Sequence, residues 1–315
     1  MSSNNMHYYY NVEYYDNLRM ELSKENGKDI CKFSVNNMNE RSKRIIKFSF
    51  LGHDVFNLPD EEAGIKSFEL YSAYPGVMIG IGNPHSIKIE GAMQNGFTFD
   101  YVTGIPYLPG SSLKGILKSA FPGKKFPKAK EQYIKSYLEE GKNQVNIKKL
   151  ADHIFGSDDT TTPGKGVFYG VFPDVENADK QQLLTDDYIT PHKDEFTSPI
   201  PIRMVKIRPD IKLIFKFSCD TYKEDDISIT SDDMCNLFKK IILDIGIGAK
   251  TNVGYGVMVE DNKYLKTDVS SLNEGTDKTV RTPAPNKNNK NNNSNNNKRM
   301  NKGNEKREYN VPARK

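Results

Sequence analysis

The chain has 315 residues, 36% of them hydrophobic, and a formal net charge of +4, which suits one large core or two small ones. No run approaches the roughly 18 apolar residues that span a bilayer, and MSSNNMHYYYNVEYY lacks the basic and apolar regions of a secretory leader. Cys31, Cys219 and Cys235 lie far apart without a C-x-x-C, which excludes a disulfide framework and zinc-finger spacing and fits a reduced cytoplasm.

In chain order, residues 1–74 carry no motif and are expected to form an extension packed on the core, with the main domain at 75–265. A first strand is predicted near Gly76–Ile81. The segment Ile105-Pro-Tyr-Leu-Pro-Gly-Ser-Ser-Leu-Lys-Gly then enters a helix whose apolar face is Leu113, Ile116, Leu117, Ala120 and Phe121. Ser111 is its expected N-cap, after the Pro109-Gly110 turn. A helix start carries unsatisfied N–H groups and positive partial charge, so it receives anions. Ser111, Ser112, Lys114 and Lys118 therefore read either as a backbone-phosphate contact or as an ordinary solvated face. Ten lysines stand between Lys114 and Lys149 against Glu131, Glu139 and Glu140. They either line a groove, foremost from Lys114 to Lys130, or decorate helices expected around Tyr133–Leu138 and Ile147–Ile154.

Strands are predicted near Val167–Phe172 and, from alternation, near Leu213–Cys219. Ser231 is the expected N-cap of a helix with the core stripe Met234, Leu237, Phe238, Ile241, Ile242 and Ile245. Gly246 stops it. Asp244 to Gly256 reads DIGIGAKTNVGYG, and a last strand is expected from Gly254. Glycine permits positive φ and close backbone approach, so Gly246, Gly248 and Gly254 suggest a loop pressed against a ligand's backbone. Lys250 adds charge, and Thr251 and Asn252 add hydrogen bonds, a mixture that suits phosphates. The competing reading is a tight connection without a ligand. A P-loop is excluded because Ala249 precedes Lys250, and G-x-G-x-x-G fails at Thr251.

Nine asparagines fill Asn286–Asn297, and Lys278–Lys315 holds 11 Lys/Arg against 2 Asp/Glu, so the remainder of the chain is slightly acidic. Such a stretch has no apolar face to offset its ordering entropy, and residues 276–315 are expected to be a disordered basic tail.

Taken together, IPYLPGSSLKG and GIGAKTNVGYG resemble the RAMP proteins of CRISPR systems. Gly166-Val-Phe-Tyr-Gly-Val-Phe-Pro-Asp, Ile154-Phe-Gly and Ser198-Pro-Ile-Pro-Ile look most like the family of subunit six in Cmr-type (type III-B) RNA-guided effectors. The resemblance covers roughly Gly76 to Glu260. It implies an α+β, ferredoxin-like (RRM-type) βαββαβ core with long insertions, one of which, at 174–208, would be thumb-like. It further implies guide RNA, complementary target RNA and other Cmr effector subunits as partners, with no membrane and no cofactor. Tyr188 and Phe196 on that insertion would wedge against bases or pack on a neighbouring subunit. Ser111, Ser112, Lys114, Lys118, Gly246, Gly248, Lys250, Thr251, Asn252 and Gly254 are the expected RNA-binding residues.

No catalytic or metal-binding residue is expected. His7, His53, His85, His153 and His192 form no H-x-x-x-H or H-x-x-E-H, and no G-x-S-x-G surrounds Ser111 or Ser112. His153 is expected to be structural. His85 and His192 sit in loops, where either would serve the alternative function, a metal-independent endoribonuclease that processes guide precursors. Asp100 would at most bind a cation.

Overall fold

The computed structural model describes residues 4–25, 28–50, 64–80, 89–157, 161–175, 182–190 and 201–261. A first compact unit runs Met1–Ser271; the second, Leu272–Lys315, lies outside the described residues, as do the expected disordered tail, His53, His85, His192, Phe196 and Ser198.

Asn5 caps α1 (Met6–Asn11) by accepting from the Tyr8 amide, and the helix buries Met6, Tyr9 and Tyr10. The antiparallel hairpin of β1 (Arg19–Glu25) and β2 (Lys28–Ser34) follows, with Leu22 opposite Cys31. Next, α2 (Met38–Lys47) buries Met38, Ser42 and Ile45. Three buried hydroxyls here find partners: Tyr10 donates to the Asn95 carbonyl at 2.6 Å, and Tyr14 and Ser42 share a bond of 2.6 Å. These side chains join the same contiguous core as the sheet that follows.

From Phe68 to Ser72, β3 (Ile65–Ser72) buries alternate residues. Three helices come next: α3 (Gly110–Ala120), α4 (Pro127–Tyr137) and α5 (Ile147–Phe155). Two short strands follow, β4 (Val167–Phe168) and β5 (Phe172–Pro173). The hairpin of β6 (Leu184–Ile189) and β7 (Ile202–Ile207) leads to β8 (Lys212–Ser218). A small hairpin, β9 (Tyr222–Glu224) and β10 (Ile227–Ile229), then precedes α6 (Ser231–Ile245) and β11 (Met258–Val259). The main sheet has the order β11-β3-β8-β4, with β5 also on β8, and every neighbouring pair is antiparallel.

Leu213, Phe215 and Phe217 alternate inward from β8. Phe68 stacks on Phe215, its cross-strand partner, at 4.8 Å. α6 covers this face, bringing Phe238 within 4.9 Å of Phe217 and 5.7 Å of Phe168. Its buried Met234, Leu237, Phe238, Ile241 and Ile242 are together worth about 10 kcal/mol of transfer free energy, an upper bound. Thr230, not the expected Ser231, caps this helix. Its hydroxyl accepts from the Asp233 amide at 3.2 Å while Asp233 accepts from the Thr230 amide at 2.8 Å, a reciprocal capping box. Likewise Pro109 occupies the N-cap of α3, so Ser111 lies inside the first turn and caps nothing.

Three strand expectations are corrected. The first strand is Ile65–Ser72 rather than Gly76–Ile81, so an inner strand of the sheet comes from within residues 1–74. Gly76, at φ +110, approaches Ile207 so closely that a Cβ would stand 2.2 Å from its carbonyl oxygen. The backbone there leaves the sheet, and Val77 and Met78 make isolated bridges to Ile207 and Ala249. The second strand is interrupted, because Val171 exchanges bonds of 3.0 and 2.8 Å with Leu108. The last strand starts at Met258, since Gly254 and Gly256 (φ +94 and +78) hold the chain in a turn. The long connections also carry structure: α4 and α5 lie between Pro122 and Lys165, and β6 and β7 between Pro173 and Pro209.

Candidate functional site

Gly246 ends α6, and the loop then folds onto the protein's own backbone. Ile247 donates to the Gly256 carbonyl at 2.9 Å, Ala249 to Met78 at 2.8 Å, and Gly256 to Gly76 at 2.9 Å. A Cβ would stand 1.8 Å from the Ile247 oxygen at Gly256, 2.3 Å from the Met78 oxygen at Gly248, and 2.6 Å from the Gly256 oxygen at Gly246. Close approach of internal carbonyls therefore demands these three glycines. At Gly246 and Gly248 the side that a Cβ would occupy therefore faces the protein's own backbone. Gly254 differs: at φ +94, a Cβ there would meet nothing nearer than the Pro75 Cδ at 4.0 Å.

What the loop offers to solvent is its tip. Lys250, Thr251, Asn252 and Val253 are all exposed, with Lys250 in the left-handed region at φ 60. Bonds from the Val253 amide to Lys250 at 3.1 Å and from the Gly254 amide to Thr251 at 3.0 Å set its shape. Met258 pairs with Ser72, so the tip stands where β3 ends and β11 begins.

The start of α3 is seated elsewhere. Gly110 packs on the Phe168 carbonyl, which a Cβ would meet at 2.0 Å, so this helix start belongs to the β4 edge while the glycine loop belongs to the β11 edge. Three strand spacings, about 14 Å, separate those edges. Among the described residues no hydrogen bond joins 110–118 to 246–254. Ser111 and Lys118 are exposed, Ser112 and Lys114 half-buried.

The lysine cluster divides in two. Lys135 pairs with Glu131 at 2.7 Å, Lys142 with Asp233 at 2.6 Å, and Lys149 with Glu224 at 2.9 Å, while Lys130 donates to the Ser119 carbonyl at 2.6 Å. The Lys135 pair lies within α4, while Lys130, Lys142 and Lys149 tie their segments to neighbouring elements. Lys114, Lys124, Lys125 and Lys128 make no ion pair among the described residues. Beside the loop, the hydroxyls of Tyr133 and Tyr137 both donate to Asp244 near the end of α6, Tyr133 at 2.8 Å. That fixes α4 against the same end of α6.

The β6–β7 hairpin is docked at its base, burying Leu184, Val205 and Ile207, while its connection, 191–200, lies outside the described residues. Arg203 pairs with Asp186 at 2.7 Å and Lys206 with Asp187 at 2.5 Å, both cations nearly buried. From the glycine loop, Tyr255 donates to Asp187 at 2.8 Å, and the Lys206 Nζ lies 5.5 Å from the Tyr255 ring centroid. Burial pulls the Asp187 carboxyl upward, but Lys206, the Tyr255 hydroxyl and the Tyr188 amide outweigh it and hold the group below its ordinary range. The Tyr255 hydroxyl is pushed up to about 12 by burial and by the bond to Asp187. Sequence reasoning missed this junction, because nothing in the spacing of Asp187, Lys206 and Tyr255 announces that they meet. Tyr188, one of the two aromatics expected on the insertion, is 57% exposed with the Arg203 guanidinium 6.0 Å from its ring.

The described histidines are held by backbone carbonyls. His153 lies 3.0 Å from the Asp220 oxygen and packs edge-on to Tyr222, and His7 lies 3.2 Å from the Phe99 oxygen. Asp100 accepts from the Thr103 amide and hydroxyl, each at 2.7 Å, and so closes a turn. Among the described residues no group of three His, Cys, Asp or Glu side chains is placed to hold a metal ion. No described helix is long and apolar enough to cross a membrane.

The family model described as the RAMP superfamily matches residues 69–260, a span that holds the glycine loop, α3 and the docked hairpin. The chain belongs to the RAMP superfamily. This RAMP chain is 27% identical over 168 residues to the CRISPR system CMR subunit Cmr6 of Saccharolobus solfataricus, a match covering 52% of this chain and 48% of that one. It therefore spans about half the length of the curated relative it matches. Two solved structures are similar. One is a cryo-EM structure of the type III-B Cmr-beta bound to cognate target RNA, with TM-score 0.44, 23% identity, and coverage of 70% of this chain and 72% of that one. The other is a crystal structure of Cmr6 from Pyrococcus furiosus, with TM-score 0.40, 19% identity, and coverage of 62% and 98%.

Proposed function

We propose that this RAMP chain is a non-catalytic, RNA-binding backbone subunit of a Cmr-type (type III-B) effector. On this reading it holds the guide RNA and the guide–target duplex near the guide's 3′ end, with other Cmr subunits as neighbours. The core is then ferredoxin-like. The chain order β3–α3–β4/β5–β8–α6–β11, with both helices between strands of one antiparallel sheet, supports that assignment. The observation that carries the proposal is the exposed tip Lys250–Asn252 on a loop locked to its own backbone, within the stretch that matches the family. A cation, a hydroxyl and a carboxamide on a fixed turn read phosphate and ribose rather than sequence, and base pairing supplies the sequence. Ser111, Ser112 and Lys114 form a second contact across the sheet, reached by the same strand some nucleotides away. The docked insertion carrying β6 and β7 is the thumb-like element.

Binding of labelled single-stranded RNA to the full chain, titrated in salt, tests this. Lys250→Ala with Lys114→Ala should weaken binding and flatten the log–log salt slope by roughly 1.4, at about 0.7 per lost phosphate contact. An unchanged affinity and slope would remove both lysines from the interface.

A further inference from the structure

Of the exposed aromatic side chains, Tyr74 is set apart by its pedestal. It is 79% exposed, yet the backbone on both sides is fixed: Ala73 donates to the Val257 carbonyl at 2.9 Å, and Gly76 to Ala73 at 2.8 Å. The Gly76 carbonyl in turn accepts from Gly256 at 2.9 Å. By contrast Tyr101 packs against His7 at 5.1 Å, and Tyr188 has Arg203 beside its ring. The turn carrying Tyr74 touches the glycine loop, since Pro75 is the neighbour that Gly254 faces. The tip that carries Lys250, Thr251, Asn252 and a 69% exposed Val253 thus adjoins a backbone-fixed turn whose Tyr74 ring faces solvent.

An aromatic face left in water beside a cation and an amide is the combination that binds unpaired nucleotides: bases stack on the ring while the cation follows the phosphates. We propose that Tyr74 is a stacking platform for one unpaired base of a single-stranded RNA whose phosphates lie along Lys250–Asn252. This rests on the RNA-binding reading above and adds to it a residue and a mode of contact. Because every base has a π-face, the platform is tolerant of sequence, consistent with a surface that leaves base identity to pairing. The turn that carries the ring also sits where the sheet end, the loop and the docked hairpin converge. Its phenol lies near enough to Tyr255 to add to the upward push on that hydroxyl, after burial and Asp187.

The chain contains no tryptophan, so Tyr74→Trp installs a single indole reporter. The full chain is titrated with a labelled oligouridylate, and label anisotropy and indole emission are followed together. The expected result is quenching of the indole with the same midpoint as the anisotropy. Tyr74→Ala should weaken binding roughly 5- to 100-fold with an unchanged salt slope, and Tyr74→Phe should stay within about twofold of the parent. Thermal melts of each variant check that the fold is intact. RNA binding that depends on Lys250, with unmoved indole emission and a Tyr74→Ala affinity within twofold of the parent, overturns the platform and leaves the RNA-binding reading standing. Absence of RNA binding by every version overturns both.

Discussion

Asp187→Ala strands the Lys206 ammonium, whose side chain is only 7% exposed and pairs at 2.5 Å. A buried charge left without its partner costs about 3–5 kcal/mol; the Asp187 side chain is 30% exposed, so water softens the loss and the lower end, about 3 kcal/mol, applies. Lys206→Met removes the charge and keeps the packing of the stem. Asp187 then retains the Tyr255 hydroxyl and the Tyr188 amide, so this change should cost about 1 kcal/mol. The double variant leaves no charge stranded and is expected to cost about 2 rather than about 4 kcal/mol, a coupling of roughly 2 kcal/mol. Urea unfolding of the four proteins, followed by far-ultraviolet circular dichroism, closes the cycle. Additivity to within about 0.5 kcal/mol would mean that water already solvates Lys206 in the folded protein, and the argument for a buried pair would be refuted.

Gly256→Ala should destabilise by about 2 kcal/mol or more, because its Cβ would collide with the Ile247 carbonyl, whereas Gly254→Ala, with open space around it, should cost only about 1 kcal/mol from its positive φ; equal urea midpoints would contradict this. Thr230→Ala opens the capping box of α6 and should cost about 1 kcal/mol in the same assay, with no loss if Ser231 takes over the cap. Burial raises the Asp187 and Asp233 carboxyls, but Lys206 and Tyr255 outweigh it at Asp187, and Lys142 and Thr230 at Asp233, so both groups are held below their ordinary value of 3.8. A lowered folded value stabilises the protein above 3.8 and loses that stabilisation as pH falls through the folded value. Melting temperature should drop across that acid window and drop less in Asp187→Asn; identical profiles would dismiss Asp187 as a contributor.

Local periodicity made α6 and β8 legible, down to the buried Met234, Leu237, Phe238, Ile241 and Ile242. Ile65–Ser72 is hard to read from sequence because Lys66, Ser67 and Glu69 interrupt its apolar residues Phe68 and Leu70, whereas Gly76–Ile81 is more apolar. The glycine loop is legible in the sequence, but the internal carbonyls against its glycines are not. Whether a glycine admits a ligand or an internal carbonyl depends on which chain lies opposite, and Met78 and Gly76 are more than 160 residues away. The same non-locality hid the Asp187–Lys206–Tyr255 junction and split the two anticipated phosphate contacts between opposite sheet edges.

The backbone bonds that close the 250–254 turn mean its shape exists before any strand arrives. Fixing five free residues on association would forfeit several kcal/mol of chain entropy, at about 1–2 kcal/mol each. Here that loss falls on folding instead, so under the proposed RNA-binding role docking at the tip would be rigid-body capture, with less ordering on association than a disordered basic arm requires.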